Sequence, residues 1–109
     1  MDNLTFLEKE QIVDIQELFH RLEELQNKRI LFTATTVRQS DVKEENIASL
    51  IRKEDFVFID QKNDIMLFVL INLMEESARQ IIANRLHLNR LTIKVHSVQN
   101  LTQLLQQGS

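Results

Sequence analysis

Apolar positions follow two different periods along this chain, and the switches between them mark its elements. Over residues 3–28 the period is helical: Ile15, Leu18, Leu22 and Leu25 recur at steps of three, four and three, and Ile12 and Phe19 widen the stripe. Glu17, Arg21, Glu23 and Glu24 are left for the wet face. Asp2, Asn3 or Thr5 is expected to cap that helix, with Glu8 completing a capping box for Thr5. Residues 29–37 (RILFTATTV) are β-branched and aromatic, and predict a strand with Ile30, Phe32 and Ala34 on one face. A second helix is expected from Ser40 or Asp41 through Glu44, Ile47, Leu50 and Ile51. Residues 56–60 (FVFID) and 65–71 (IMLFVLI) read as two more strands. The intervening QKND can turn a hairpin without glycine, because Asn and Asp tolerate the left-handed region best among other residues. Residues 75–88 predict a helix with Ala78, Ile81, Ile82 and Leu86 inward, and residues 91–98 (LTIKVHSV) alternate as a fourth strand. Leu101, Leu104 and Leu105 suggest a final helical turn or two.

This order predicts an α+β fold. An N-terminal amphipathic helix (residues 1–28) precedes a ferredoxin-like four-stranded antiparallel sheet with helices on one face (residues 29–100), and a helical turn and tail (101–109) close the chain. The stretch IMLFVLI is apolar on both faces, so its strand should be central, with either the N-terminal helix or a partner on the side away from the other helices. The N-terminal stripe has two readings. It packs on its own domain, or Ile15, Leu18, Leu22 and Leu25 form the seam of a homodimer.

Composition narrows the function. At 109 residues the chain builds one core, and its 43% hydrophobic and 27% charged content is that of a globular domain. The formal charge of −3 disfavours general nucleic-acid binding. The apolar run 65–71 is far too short to insert in a membrane, and the acidic start MDNLTFLEKEQ lacks the bases of a signal peptide; the expectation is a cytoplasmic protein. No cysteine is present, which removes disulfides, thiolate zinc sites and a cysteine nucleophile. The one glycine is Gly108, so no phosphate-cradling glycine loop is available. His20, His87 and His96 lie on different elements with no ligand spacing between them, and Asp60 and Asp64 read as solvated turn residues before a cation site.

One constellation carries more. Arg52-Lys53-Glu54-Asp55 precedes FVFID, the turn QKND and the strand IMLFVLI, and EESARQIIANRL follows. Here the chain resembles GGDEF domains, the diguanylate cyclase family. That family places an Arg-x-x-Asp inhibitory motif five residues before a Gly-Gly-Asp/Glu-Glu-Phe hairpin turn, then an apolar strand and a helix ending in Arg-Leu or Arg-Ile. The resemblance spans roughly residues 29–98 and is strongest over 51–86. The departures are as informative. Gln61 and Lys62 stand where the signature glycines would be, and ATTV ends the first strand where the family has a metal-binding Asp. Only one short helix fits between Val37 and Arg52, where the family has a longer substrate-binding segment. Phosphoryl transfer needs metal carboxylates and a phosphate cradle, so the expectation is a degenerate, non-catalytic domain with no cofactor and no metal.

The resemblance implies a regulatory module that binds cyclic di-GMP through Arg52 and Asp55, with Arg79 or Arg85 from the next helix assisting, and signals to a protein partner. An arginine fork suits guanine O6 and N7 or a phosphate. The tetrapeptide itself is common, and the chain holds a second copy in Arg38-Gln39-Ser40-Asp41. The alternative is therefore a structural interaction module, a homodimer or a subunit of a complex, in which Asp55 is a turn or cap residue entering the strand and Arg52 an ion-pair partner on a solvated helix end.

Overall fold

The doubly apolar hairpin is the centre of the molecule. The computed structural model describes Leu7 and residues 9–107. Its strands are β1 (Ile12–Val13), β2 (Phe32–Arg38), β3 (Phe56–Asp60), β4 (Ile65–Ile71) and β5 (Lys94–His96). Its helices are α1 (Ile15–Asn27), α2 (Glu44–Leu50), α3 (Glu75–Leu86) and α4 (Val98–Gln107), with 3-10 turns at Lys9–Gln11, Gln39–Asp41 and Arg90–Thr92.

The sheet runs β1-β3-β4-β2-β5. Strand β4 sits between β3 and β2, antiparallel to both, and Met66 to Leu70 are all buried. The fold is thus mixed α+β, as the pattern predicts, but two details differ. The sheet has five strands and is mixed, because β1 pairs in parallel with β3, Ile12 opposite Val57 and Val13 opposite Phe58. Helices also cover both faces. Val57, Met66, Phe68 and Leu70 pack under α2 and α3 with Ile47, Leu50, Ala78, Ile82 and Leu86. Their alternates Phe56, Phe58, Leu67 and Val69 pack under α1 and α4 with Leu18, Leu22, Leu101 and Leu105. Period-two alternation on a central strand makes two cores at once, and each needs its own helical cover.

The N-terminal helix is shorter than its stripe. It starts at Ile15, where the Asp14 carboxylate accepts the Glu17 N–H at 2.8 Å as an N-cap. Upstream, Gln11 is anchored on the Arg52 carbonyl in the turn before β3 and residues 12–13 enter the sheet, which a helix over residues 3–28 cannot do. The expected caps Asp2, Asn3 or Thr5, and the Glu8 of the capping box, lie outside the described residues. The helix ends without glycine: Arg29 takes φ 56°, with Arg29 N–H on the Gln26 carbonyl and Ile30 N–H on the Leu25 carbonyl. This is a Schellman ending, and its apolar Leu25–Ile30 pair joins the second core.

The hairpin turn follows the prediction, with Asp64 at φ 56°. At the other end of the chain the fourth strand shrinks to Lys94–His96, because Asn89 caps a 3-10 turn over Arg90–Thr92 through the Leu91 N–H. The closing helix lengthens to Val98–Gln107, since Leu101 and Leu105 are buried in the sheet's second core.

Candidate functional site

Arg52 and Asp55 meet, but they meet each other. They close a turn between α2 and β3, with the Asp55 N–H on the Arg52 carbonyl at 3.0 Å. The Asp55 residue is 1% exposed. Its Oδ2 accepts the Arg52 backbone N–H at 2.9 Å and the Arg52 Nε at 3.0 Å. Its Oδ1 accepts Arg52 Nη2 at 3.0 Å and the Ile71 N–H, the last of β4, at 2.9 Å. A carboxylate has about four acceptor sites, and here all are filled by the chain itself. The Arg52 fork also donates to the Ile71 carbonyl, and its Nη1 lies 3.9 Å from Glu54. Hydrogen bonding to Asp55 is the main reason that the Arg52 pKa is raised above its ordinary value.

Gln11 completes the arrangement. Its side-chain amide donates to the Arg52 carbonyl at 2.7 Å and the Asp55 carbonyl at 3.3 Å. The motif therefore ties together the N-terminal segment, the entry of β3 and the exit of β4. Sequence reading misses Gln11, since a lone glutamine before an apolar pair carries no signal. The buried Ile71 N–H is the partner that decides Asp55's role.

The other expected ligand residues are elsewhere. Arg79 belongs to α3 and pairs with Glu76 at 3.3 Å. It lines a cavity with Arg90, Leu91 and Ile93. Arg85 is exposed in the last turn of α3. The groove next to the motif, about 490 Å³, lies on the α1 side of the sheet and has Glu54, Phe56 and Ile71 among its lining residues. Arg21 stands over the Phe56 ring there at 5.3 Å while holding Glu17 at 2.9 Å.

The expected dimer seam is occupied from within. Leu18 and Leu22 are fully buried against the sheet of their own chain and Leu25 is half-buried; Ile15 is 41% exposed. Full burial of such a leucine is worth about 1.5–3 kcal/mol, and in this fold α1 gains it against its own sheet. The stripe is the cover of the second core.

Among the described residues, no group of three or more His, Cys, Asp or Glu side chains is placed to hold a metal ion. No helix among them is long and apolar enough to cross a membrane. No protein-family model, curated protein or solved structure matches this chain.

Proposed function

We propose that this chain is a non-catalytic interaction module in which Arg52 and Asp55 lock the fold and clamp no ligand. The observation that carries this reading is the closed hydrogen-bond set on Asp55, which leaves no acceptor for a guanine edge. The interleaved order β3-β4-β2-β5 supports a ferredoxin-like plan for the last four strands. That plan hosts many unrelated functions, so the site and not the fold has to decide. With Leu18 and Leu22 committed to the sheet, association falls to the exposed apolar side chains Ile15, Leu31, Met74 and Leu91, the last 89% exposed. Leu91→Ser is expected to weaken any self-association seen by sedimentation. A wild type that stays monomeric at ~100 µM, where a micromolar dimer forms, leaves a heterologous partner as the reading.

The second reading is cyclic di-GMP sensing, as the GGDEF resemblance implies, and it rests on the 42% exposure of the Arg52 side chain. A ligand there would have to draw the guanidinium off Asp55 and leave a buried carboxylate short of two donors. Calorimetric titration of cyclic di-GMP into the full chain separates the readings. The lock predicts no saturable heat, and an Arg52→Ala variant with a lowered melting temperature. Saturable binding that Arg52→Ala removes from a still-folded chain would overturn it. Turnover of GTP to cyclic di-GMP, lost in Asp64→Ala, would overturn the non-catalytic part.

A further inference from the structure

Period-two alternation gathers donors at one corner of the sheet, beyond anything the Arg52–Asp55 lock uses. Thr36 and Arg38 on β2 stand two apart, as do Lys94 and His96 on β5. The strands are antiparallel neighbours, with Thr36 directly opposite Lys94 and Ala34 opposite His96. All four residues therefore share the face that α1 and α4 cover. Thr36 Oγ1 and His96 Nε2 are 2.7 Å apart, a hydrogen bond that fixes the ring at this corner. With Leu104 of α4 and Thr92 of the 3-10 turn before β5 they line an open cavity of about 210 Å³ beside the hairpin turn.

Charge at this corner does not balance. Arg38 and Lys94 are both cationic, and Asp64 is the one acid in the lining among the described residues. Asp64 is already engaged: its carboxylate accepts the Ser40 N–H at 2.9 Å and the Ser40 Oγ at 2.7 Å, and lies 3.5 Å from Arg38 Nε. Those contacts hold its pKa below the ordinary value, so it stays ionised and offsets Arg38. Lys94 has no ion-pair partner among the described residues. The roof, VQNLTQLLQQ, brings no charge of either sign. His96 registers the surplus, since burial first and the Lys94 charge second hold its pKa below the ordinary value.

We infer that this corner binds a small phosphate-type anion, either free inorganic phosphate or the phosphomonoester group of a small metabolite. Lys94 and Arg38 supply the charge, and the Thr36 hydroxyl supplies a directional contact, its proton being free for the anion when His96 Nε2–H donates to Thr36 Oγ1; the Thr92 hydroxyl is committed to the Asn89 carbonyl at 2.7 Å. The volume is below the roughly 300–1,000 Å³ of pockets for larger organic ligands, which suits one phosphate group with little appended to it. The site lies away from the Arg52–Asp55 turn, so it stands or falls independently of the proposed function.

Nuclear magnetic resonance on the full chain tests it, with inorganic phosphate, ribose 5-phosphate and chloride at matched ionic strength as separate titrants. The expected result is a saturable shift of the Thr36, Lys94 and His96 signals with a dissociation constant below ~1 mM. The His96 pKa should rise on saturation, because the anion neutralises Lys94. Tighter binding of ribose 5-phosphate than of phosphate supports the ester class, and equal or weaker binding supports the free ion. Lys94→Gln, at an exposed position, should weaken binding roughly tenfold, and Arg38→Gln should do likewise without loss of fold. Drift that never saturates and matches chloride, or wild-type affinity in both variants, would overturn the site.

Discussion

Two Arg–Asp pairs sit at opposite ends of the same β3–β4 hairpin, and they behave differently. Asp55 enters β3 and Asp64 enters β4; each takes a backbone N–H from another segment and an arginine. At the Asp55 end the side chain is 0% exposed and the arginine grips both oxygens at 3.0 Å. At the Asp64 end the side chain is 42% exposed and the arginine reaches one oxygen at 3.5 Å. The same chemistry thus gives a lock where water is excluded and a loose surface contact where it is not. The closed end has little capacity left for a ligand, while the open end keeps a cavity with spare positive charge.

The coarsest way to break this difference is to remove the cover that keeps the closed end dry. Leu18→Glu with Leu22→Glu places two carboxylates in the core that also holds Phe56 and Ile71. Each buried leucine lost costs about 2–5 kcal/mol before any charge burial, against a total domain stability of roughly 5–15 kcal/mol. The double variant should be unfolded by circular dichroism. A folded double variant would return these residues to a dimer seam.

The next effect is at the lock itself. Asp55→Ala leaves the Ile71 and Arg52 N–H groups without their acceptor and should cost about 3 kcal/mol in denaturant unfolding. Arg52→Ala should cost less, about 1–2 kcal/mol, because that side chain is 42% exposed. Equal and negligible losses in both would reduce the lock to a surface pair.

What the sequence made legible follows the same division. Both hairpin strands were readable to the residue, and a glycine-free turn with Asn or Asp in the left-handed region was readable between them, because the apolar period and the turn chemistry agree there; that Asp64 and not Asn63 takes the positive φ was not. Helix α3 was readable through Ala78, Ile82 and Leu86. Strand β1 was not, since two apolar residues fit a helical stripe as well as a strand, and only pairing with Val57 and Phe58 separates them. A structural role for each of Arg52 and Asp55 was open as an alternative, but their pairing with each other was not read, and its closure on the Ile71 N–H depends on a contact 16 residues away in sequence. The corner of Thr36, Arg38, Lys94 and His96 was hidden for the same reason: its spacing on each strand is visible, and the register that joins the strands is not.

Acid should sharpen the contrast at the open end. Asp64 has a folded pKa below its ordinary 3.8, so the stability it contributes is present above that value and is lost as pH falls further. Asp64→Asn should therefore lower the melting temperature slightly at neutral pH and leave a smaller acid-induced decline than in wild type. A decline of unchanged size would assign it to other carboxylates.

The smallest expected effect belongs to His96, and its sign is opposite to that of a histidine held by a carboxylate. Burial and the neighbouring Lys94 keep its folded pKa below 6.5, so below that pH the unfolded chain binds the extra proton more readily. Stability contributed by the neutral ring is complete above pH 6.5 and declines as pH drops toward the folded value. Thermal melts of wild type and His96→Gln between neutral pH and this lower range should converge on acidification, as wild type loses what the variant never had. Lys94→Gln should shallow the same decline by raising the His96 pKa, because one of its two causes is gone. If Lys94→Gln leaves the decline unchanged, the lysine charge is not felt at the ring, and the corner lacks the surplus positive potential that separates the open end of the hairpin from the closed one.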